Sequence, residues 1–324
     1  MTEELASARG VDPIDFGLRA PTPFDSNLDR RREWIVNWRT FIAAVRISWI
    51  MESDWTDPVL FLIYTVAKPL GSLLLLVAML EIVGGGGRED LRSFVVVGSV
   101  LWSIVLSGLS GPAWMILDAR EFSQTLKYVY VAPANILAVV LGRGVAQMAI
   151  GSMAAAITLV VGVLLLSVPF AIDRLDWPLL AATTLIGVPS ILAIGLMLAA
   201  VCLQTRQESW SYPEAAGGAL FLFSGVVFPL SVLPGPIQVI GLLTPLSWWI
   251  EGVRRATIQG GLSGIGGTGS VYTSLTGMPS PSSVEILIGL TATSAVAGLV
   301  GLIAFRASER RARNRGLLDV TTGS

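Results

Sequence analysis

The chain has 324 residues, of which 53% are hydrophobic and only 14% charged, with a mean hydropathy of +0.69. An average soluble domain carries roughly a quarter charged residues, so this composition excludes an ordinary soluble core and points to a bilayer. A net charge of −1 gives no nucleic-acid signal; one cysteine and no histidine exclude an internal disulfide framework and histidine acid–base catalysis, and argue against a zinc site.

In chain order, residues 1–28 are acidic, contain Pro and Gly and lack an apolar signal region, so they read as a flexible cytoplasmic tail. Residues 29–55 form a separate element. Within it Trp34, Trp38, Phe41, Ile42, Val45 and Trp49 recur at helical spacing, and Arg39 and Arg46 fall off that stripe. Trp on one side and Arg on the other suit an amphipathic helix at the membrane–water interface. A buried helix of a small soluble domain is the alternative, but nothing nearby supplies the rest of such a core.

Residues 56–305 hold six apolar segments, each long enough for the ~20 residues a membrane helix needs. They run at about 58–83, 91–117, 135–170, 177–203, 213–233 and 284–305. Lys68 stands inside the first, followed by Pro69. It reads either as a cation lining a polar path or as a snorkelling side chain near a span that begins later. Cys202 sits in an apolar run as a small packing residue. Small residues (Gly151, Ala154 and Ala155 in the third span, Ser294, Gly298 and Gly301 in the sixth) allow close helix packing in lipid. Between spans five and six, residues 234–250 are apolar but cut by Pro234, Pro236 and Pro245. That pattern fits a re-entrant or interfacial helical hairpin better than a full span. Residues 306–324 form a basic tail. Arg30, Arg31, Arg32, Arg39, Arg46, Arg120, Lys127, Arg143, Arg206 and the Arg306–Arg315 cluster fall on one side of the six-span layout. Only Arg88, Arg92, Arg174, Arg254 and Arg255 fall on the other, so the first side, with both termini, is expected to be cytoplasmic.

The chain lacks a G-x-x-x-x-G-K-[ST] loop and the H-E-x-x-H and G-x-S-x-G patterns, so it carries no recognisable catalytic motif. The spans lack the mid-membrane carboxylates expected of a proton-coupled carrier or channel, and the clustered polar groups expected of a lipid-modifying enzyme. The connection at 118–144 is the most specific local feature. Phe122, Leu126, Val129 and Tyr130 can share one helical face; an exposed apolar face there calls for a partner, and a purely structural elbow is the alternative.

Two segments carry a family resemblance. EFSQTLKYVYVAPANILAVVLGR, from Glu121 to Arg143, and SGVVFPLSVLPGPIQVIGLLTPLSWWIEGVRR, from Ser224 to Arg255, resemble signatures of type-2 ABC exporter permeases. The daunorubicin-resistance-type branch is the nearest named, with polysaccharide and lipid-linked-glycan exporters behind it. Ala132 departs from the Ser or Thr usual before Pro133. The resemblance implies an all-α membrane fold: six spans, an interfacial helix and a re-entrant hairpin. It implies that Glu121, Phe122, Thr125, Leu126, Tyr128 and Pro133 belong to a coupling helix docking on a separate P-loop ATPase, which holds the ATP and Mg²⁺. It implies that the 30–52 helix touches the same subunit. It further implies that Ser224, Gly225, Phe228, Pro229, Pro234 and Pro245 shape the outer mouth, and that a second permease copy completes the assembly. The expected function is export of an amphipathic or hydrophobic substrate across the cell membrane, with a glycan exporter as the alternative within the class and a membrane-embedded lipid enzyme as the alternative outside it. The 259–283 segment, rich in Gly, Ser and Thr, has no role evident in the sequence.

Overall fold

The computed structural model describes residues 25–53, 58–84, 89–131, 135–166, 174–205, 211–258 and 261–314. The 1–24 part of the N-terminal tail, Pro133 and the end of the basic tail from 315 lie outside the described residues. The elements are α1 (Asp25–Ser53), α2 (Pro58–Gly84), α3 (Glu89–Leu117), α4 (Leu126–Val131), α5 (Ile136–Leu166), α6 (Trp177–Gln204), α7 (Ser211–Phe223), α8 (Gly235–Leu243), α9 (Pro245–Thr257), α10 (Val271–Thr276) and α11 (Ser283–Asn314). No strand occurs among the described residues.

Four stretches are long and apolar enough to cross a membrane: Asp90–Glu121, Ile136–Leu166, Trp177–Gln204 and Ser283–Asn314. The shortest has 28 residues, about 42 Å of helix against a hydrocarbon core of about 30 Å. α2 has 27 residues, and its apolar described part is Pro69–Ile82. The fifth expected span is not one helix. α7 stops at Phe223 after 13 residues, about 20 Å of helix and too short to cross alone. Gly225 follows with φ +67, the left-handed geometry that ends helices, and Pro229, Pro234 and Pro236 then withhold backbone donors. Hydropathy continues through the break because Val226, Val227 and Phe228 are apolar; the helix does not.

α3, α6 and α11 run in one direction and α5 runs against them. Gly111 of α3 abuts Gly144 of α5, whereas Gly151, farther along α5, abuts Ser103 and Ser107. Between α6 and α11 the approach is closest at Gly301, where a Cβ would lie 2.6 Å from the Ala193 carbonyl oxygen. Gly151, Ala154 and Ala155 are buried as expected, but Gly298 faces open space, so Gly301 makes the close contact of that set.

α1 packs on α5 through Ala44 and Ser48, both buried. A Cβ on Gly142 would meet the Ala44 Cβ at 2.7 Å. This seam is rotated away from the Trp stripe. Phe41 and Val45 border it, while Trp34 and Trp38 are exposed with their rings stacked 6.2 Å apart. Arg39 and Arg46 are exposed as well.

Candidate functional site

Two regions gather the polar side chains, one at each end of the bundle. At the first, α3 loosens into a π-helical turn, Asp118–Phe122, closed by the Ser123 amide donating to the Asp118 carbonyl at 2.9 Å. The Ser123 hydroxyl adds a bond to the same carbonyl at 3.1 Å, and Gln124 takes φ +51 to turn the chain into α4. A π-turn followed by a left-handed residue makes an elbow whose direction is set by backbone bonds.

Arg120 fastens that elbow. Its guanidinium is buried and donates Nη1 to the carbonyls of Cys202 at 3.0 Å and Thr205 at 2.8 Å, and Nε to Glu121 Oε1 at 2.7 Å. A cation is thus placed on the otherwise unsatisfied carbonyl end of α6, where the helix dipole favours it. Glu121 is drawn into this cluster. Leu126 is 2% exposed and packs with Ile116, Leu117, Ile136 and Leu203, with Val129 against the same cluster. The apolar face expected to be exposed therefore points inward, at least for these two residues. The outward side carries Thr125 and Tyr128, the latter 67% exposed. The side chains of Phe122 and Tyr130 lie outside the described residues.

Arg143 ties three elements together. It lies 3.7 Å from Glu52 at the end of α1 and 3.9 Å from Asp118 of the π-turn. Gln147, one turn along α5, donates to Glu52 Oε2 at 2.9 Å. Sequence reading placed Arg143 at a membrane boundary but left Glu52 and Asp118 without partners.

At the opposite end, α8 and α9 form a helical hairpin turning at Thr244, beside the break in α7. Pro245 is buried at the start of α9, Ser224 and Gly225 are buried at the break, Phe228 and Pro229 are half-buried, and Pro234 is exposed. α9 lies between α6 and α11, and its two Trp rings occupy spaces left by glycines. A Cβ at Gly187 would overlap the Trp249 ring at 1.9 Å, and one at Gly289 would meet Trp248 at 2.7 Å. The Lys68 side chain, expected on the substrate path, lies outside the described residues.

Glu251 and Arg254, one turn apart on α9 and both buried, organise this end. Glu251 accepts the Ser263 hydroxyl at 2.6 Å and the Gly264 amide at 2.7 Å, and lies 3.6 Å from Arg254 Nη1. Arg254 Nη2 donates to the carbonyls of Gly225 at 3.2 Å and Val226 at 3.4 Å, and the guanidinium lies 3.5 Å from the Phe94 ring centroid. The Leu230 amide donates to Gly264 O at 2.7 Å. Gln238, buried on α8, accepts the Val271 amide at 2.6 Å and donates to Leu233 O at 2.8 Å. Residues 261–282 are thereby tied into a folded cap over the hairpin. A cavity of about 340 Å³ opens beside it, lined by Asp176, Glu251, Arg254, Arg255, Ser263 and Ser280. Sequence reading counted Arg254 and Arg255 as loop charges and included them at the end of the second family-like segment, but assigned them no partner. The available signal was an ionisable pair one turn apart inside the apolar run PLSWWIEGVRRA.

Among the described residues no group of His, Cys, Asp and Glu is placed to hold a metal ion. The arrangement is two polar joints, one at each end of an apolar bundle. A search of curated proteins finds no match to this chain. The model of the ABC-2 type transporter family matches residues 34–258, which run from α1 through the end of α9 and include the elbow, the broken α7 and the hairpin. With more than half of its length matched, the chain belongs to the ABC-2 type transporter family.

Proposed function

We propose that this chain is the permease subunit of an ATP-driven exporter in the cell membrane, coupled to a P-loop ATPase through the elbow at 118–131. One observation carries the coupling assignment. Arg120 and Leu126 fix the elbow to α3, α5 and α6, while Thr125 and Tyr128 remain exposed on its far side. A handle that is rigidly joined to the bundle on one side and exposed on the other can pass a push from a docked subunit into the helices. The chain has no P-loop of its own, so ATP and Mg²⁺ belong to the partner, and their energy enters through contact. The elbow end is then cytoplasmic and the cap end external. α7 and α9 act as two half-helices meeting near mid-depth, with α8–α9 entering from the outside; irregular backbone is tolerated there because it is buried in protein. A second copy of the chain completes the pathway.

The substrate we favour is an amphipathic or hydrophobic molecule taken from the inner leaflet. A glycan path favours aromatic rows. Trp102 instead stacks edge-on against Phe221 at 5.2 Å, and Trp114 packs against the elbow core.

Co-expression with the P-loop ATPase encoded beside this chain tests the reading. Wild type and the Leu126→Ala control, if it remains folded, are expected to retain the ATPase through purification into lipid nanodiscs, whereas Tyr128→Asp loses it. Equal retention by all three overturns the docking assignment.

A further inference from the structure

The 261–282 cap is held to the hairpin by apolar packing of Ile265 and Tyr272 and by polar contacts, among them those of buried Glu251, which is paired with buried Arg254. Burying such a pair is costly, and apolar side chains of similar volume commonly make a more stable anchor. An ionisable pair in apolar surroundings marks a working part by default.

The two residues reach in opposite directions from α9. Glu251 holds the cap through Ser263 and Gly264. Arg254 holds the α7 break through the Gly225 and Val226 carbonyls and covers Phe94 at the start of α3. α3 leaves room for this: a Cβ at Gly98 would lie 2.1 Å from Val226 O and 3.0 Å from Arg254 Nη2. The pairing is incomplete, since Arg254 Nε is buried without a hydrogen-bond partner. On its other sides α9 is held by Trp249 on Gly187 and Trp248 on Gly289, by the Asp176 amide donating to Ala256 O at 3.0 Å and by Arg255 donating to Pro281 O. The seam between α9 and the α3–α7 pair is the one that carries the buried ion pair, and its parting does not require the Trp rings to leave their seats on α6 and α11.

We propose that Glu251 and Arg254 form a latch that locks the cap and α9 to the α7 break and the start of α3, and that its release opens the external end. This deepens the exporter reading and rests on it for the direction of opening. Arg254 acts as a positioning residue, with Glu251 orienting it and joining it to the cap.

The test uses the full chain alone in nanodiscs, so it needs no ATPase. Ser224, buried beside the break, becomes the probe in a Cys202→Ala background as Ser224→Cys. The readout is its rate of labelling by a membrane-impermeant maleimide. Arg254→Met is expected to raise that rate roughly tenfold or more, the population shift that loss of a charged hydrogen bond produces. Arg254→Lys restores part of the protection. Ser263→Ala, which removes one bond to Glu251 and the acceptor of the Ile265 and Gly266 amides but leaves Arg254 in place, gives a smaller increase. A purely structural role lowers the thermal midpoint without raising labelling of the folded protein. Unchanged labelling in folded Arg254→Met and Ser263→Ala overturns the latch. If Arg254→Met does not fold, Arg254→Lys and Ser263→Ala decide by the same criterion. Unchanged labelling leaves the exporter reading standing, whereas loss of that reading through a missing ATPase leaves the labelling result intact.

Discussion

At the residue scale, burial separates side chains that hold the elbow from those that face outward. Leu126 fills the core beneath the elbow, so Leu126→Ala should cost about 2–5 kcal/mol through lost burial and a residual cavity. The measurement is the thermal midpoint in nanodiscs, and no loss there would contradict the packing described. Arg120 is nearly fully buried and satisfies two carbonyls of α6 as well as Glu121. Arg120→Met leaves all three acceptors without that donor, and breaking a buried pair in this way typically costs about 3–5 kcal/mol. Glu121→Gln keeps an oxygen on Arg120 and should cost much less. If thermal melts gave the two variants equal losses, Arg120 would not be the clamp. Fourfold periodicity in the sequence located the apolar face of the elbow but not its direction. Whether Leu126 faces solvent or core depends on the turn at Ser123 and Gln124, which hydropathy does not record.

At the element scale, the decisive event is the end of α7. The apolar run from Pro213 to Leu233 reads as one span, but Gly225 with its positive φ, followed by Pro229, divides it. The prolines made the hairpin that follows legible, since Pro236 and Pro245 stand in the first two positions of α8 and α9, where helices tolerate proline. The long spans were legible because sustained hydropathy is a strong signal. The Glu251–Arg254 pair was missed because two charges near a loop look solvated until the cap folds over them. For α9, the seating of Trp249 against Gly187 gives a sharp expectation. Gly187→Leu displaces the ring and should separate α9 from α6, read as faster amide exchange over residues 245–257. Gly298→Leu, at a glycine with nothing within 4 Å, should leave that exchange unchanged. Equal exchange in both variants would remove α9 from its seat between α6 and α11. The α1 helix offers a parallel lesson. Its aromatic stripe was visible in the sequence, but Ala44 and Ser48 make the protein contact, because close approach to Gly142 selects small residues rather than large ones.

At the scale of the whole molecule, four long helices form a scaffold with a fastened elbow at one end and a capped hairpin at the other. Arg143 joins α1, α5 and the π-turn, so the elbow and α1 are tied together through α5. Contact at Tyr128 is thereby linked to α3, and α3 reaches the opposite end at Phe94, beneath Arg254. α3 is thus a continuous packed route from the elbow to the seam at the capped end. On the proposed reading, that route carries the push of a docked ATPase subunit into the bundle.

The most direct measurement of that claim is ATP hydrolysis and substrate-dependent stimulation by the chain co-purified with its P-loop ATPase in nanodiscs, for wild type and Tyr128→Asp at matched thermal stability. The account predicts that wild type forms a complex whose hydrolysis responds to an amphipathic substrate, and that Tyr128→Asp loses the complex or that response. Hydrolysis and stimulation identical in the two proteins would contradict coupling through the elbow.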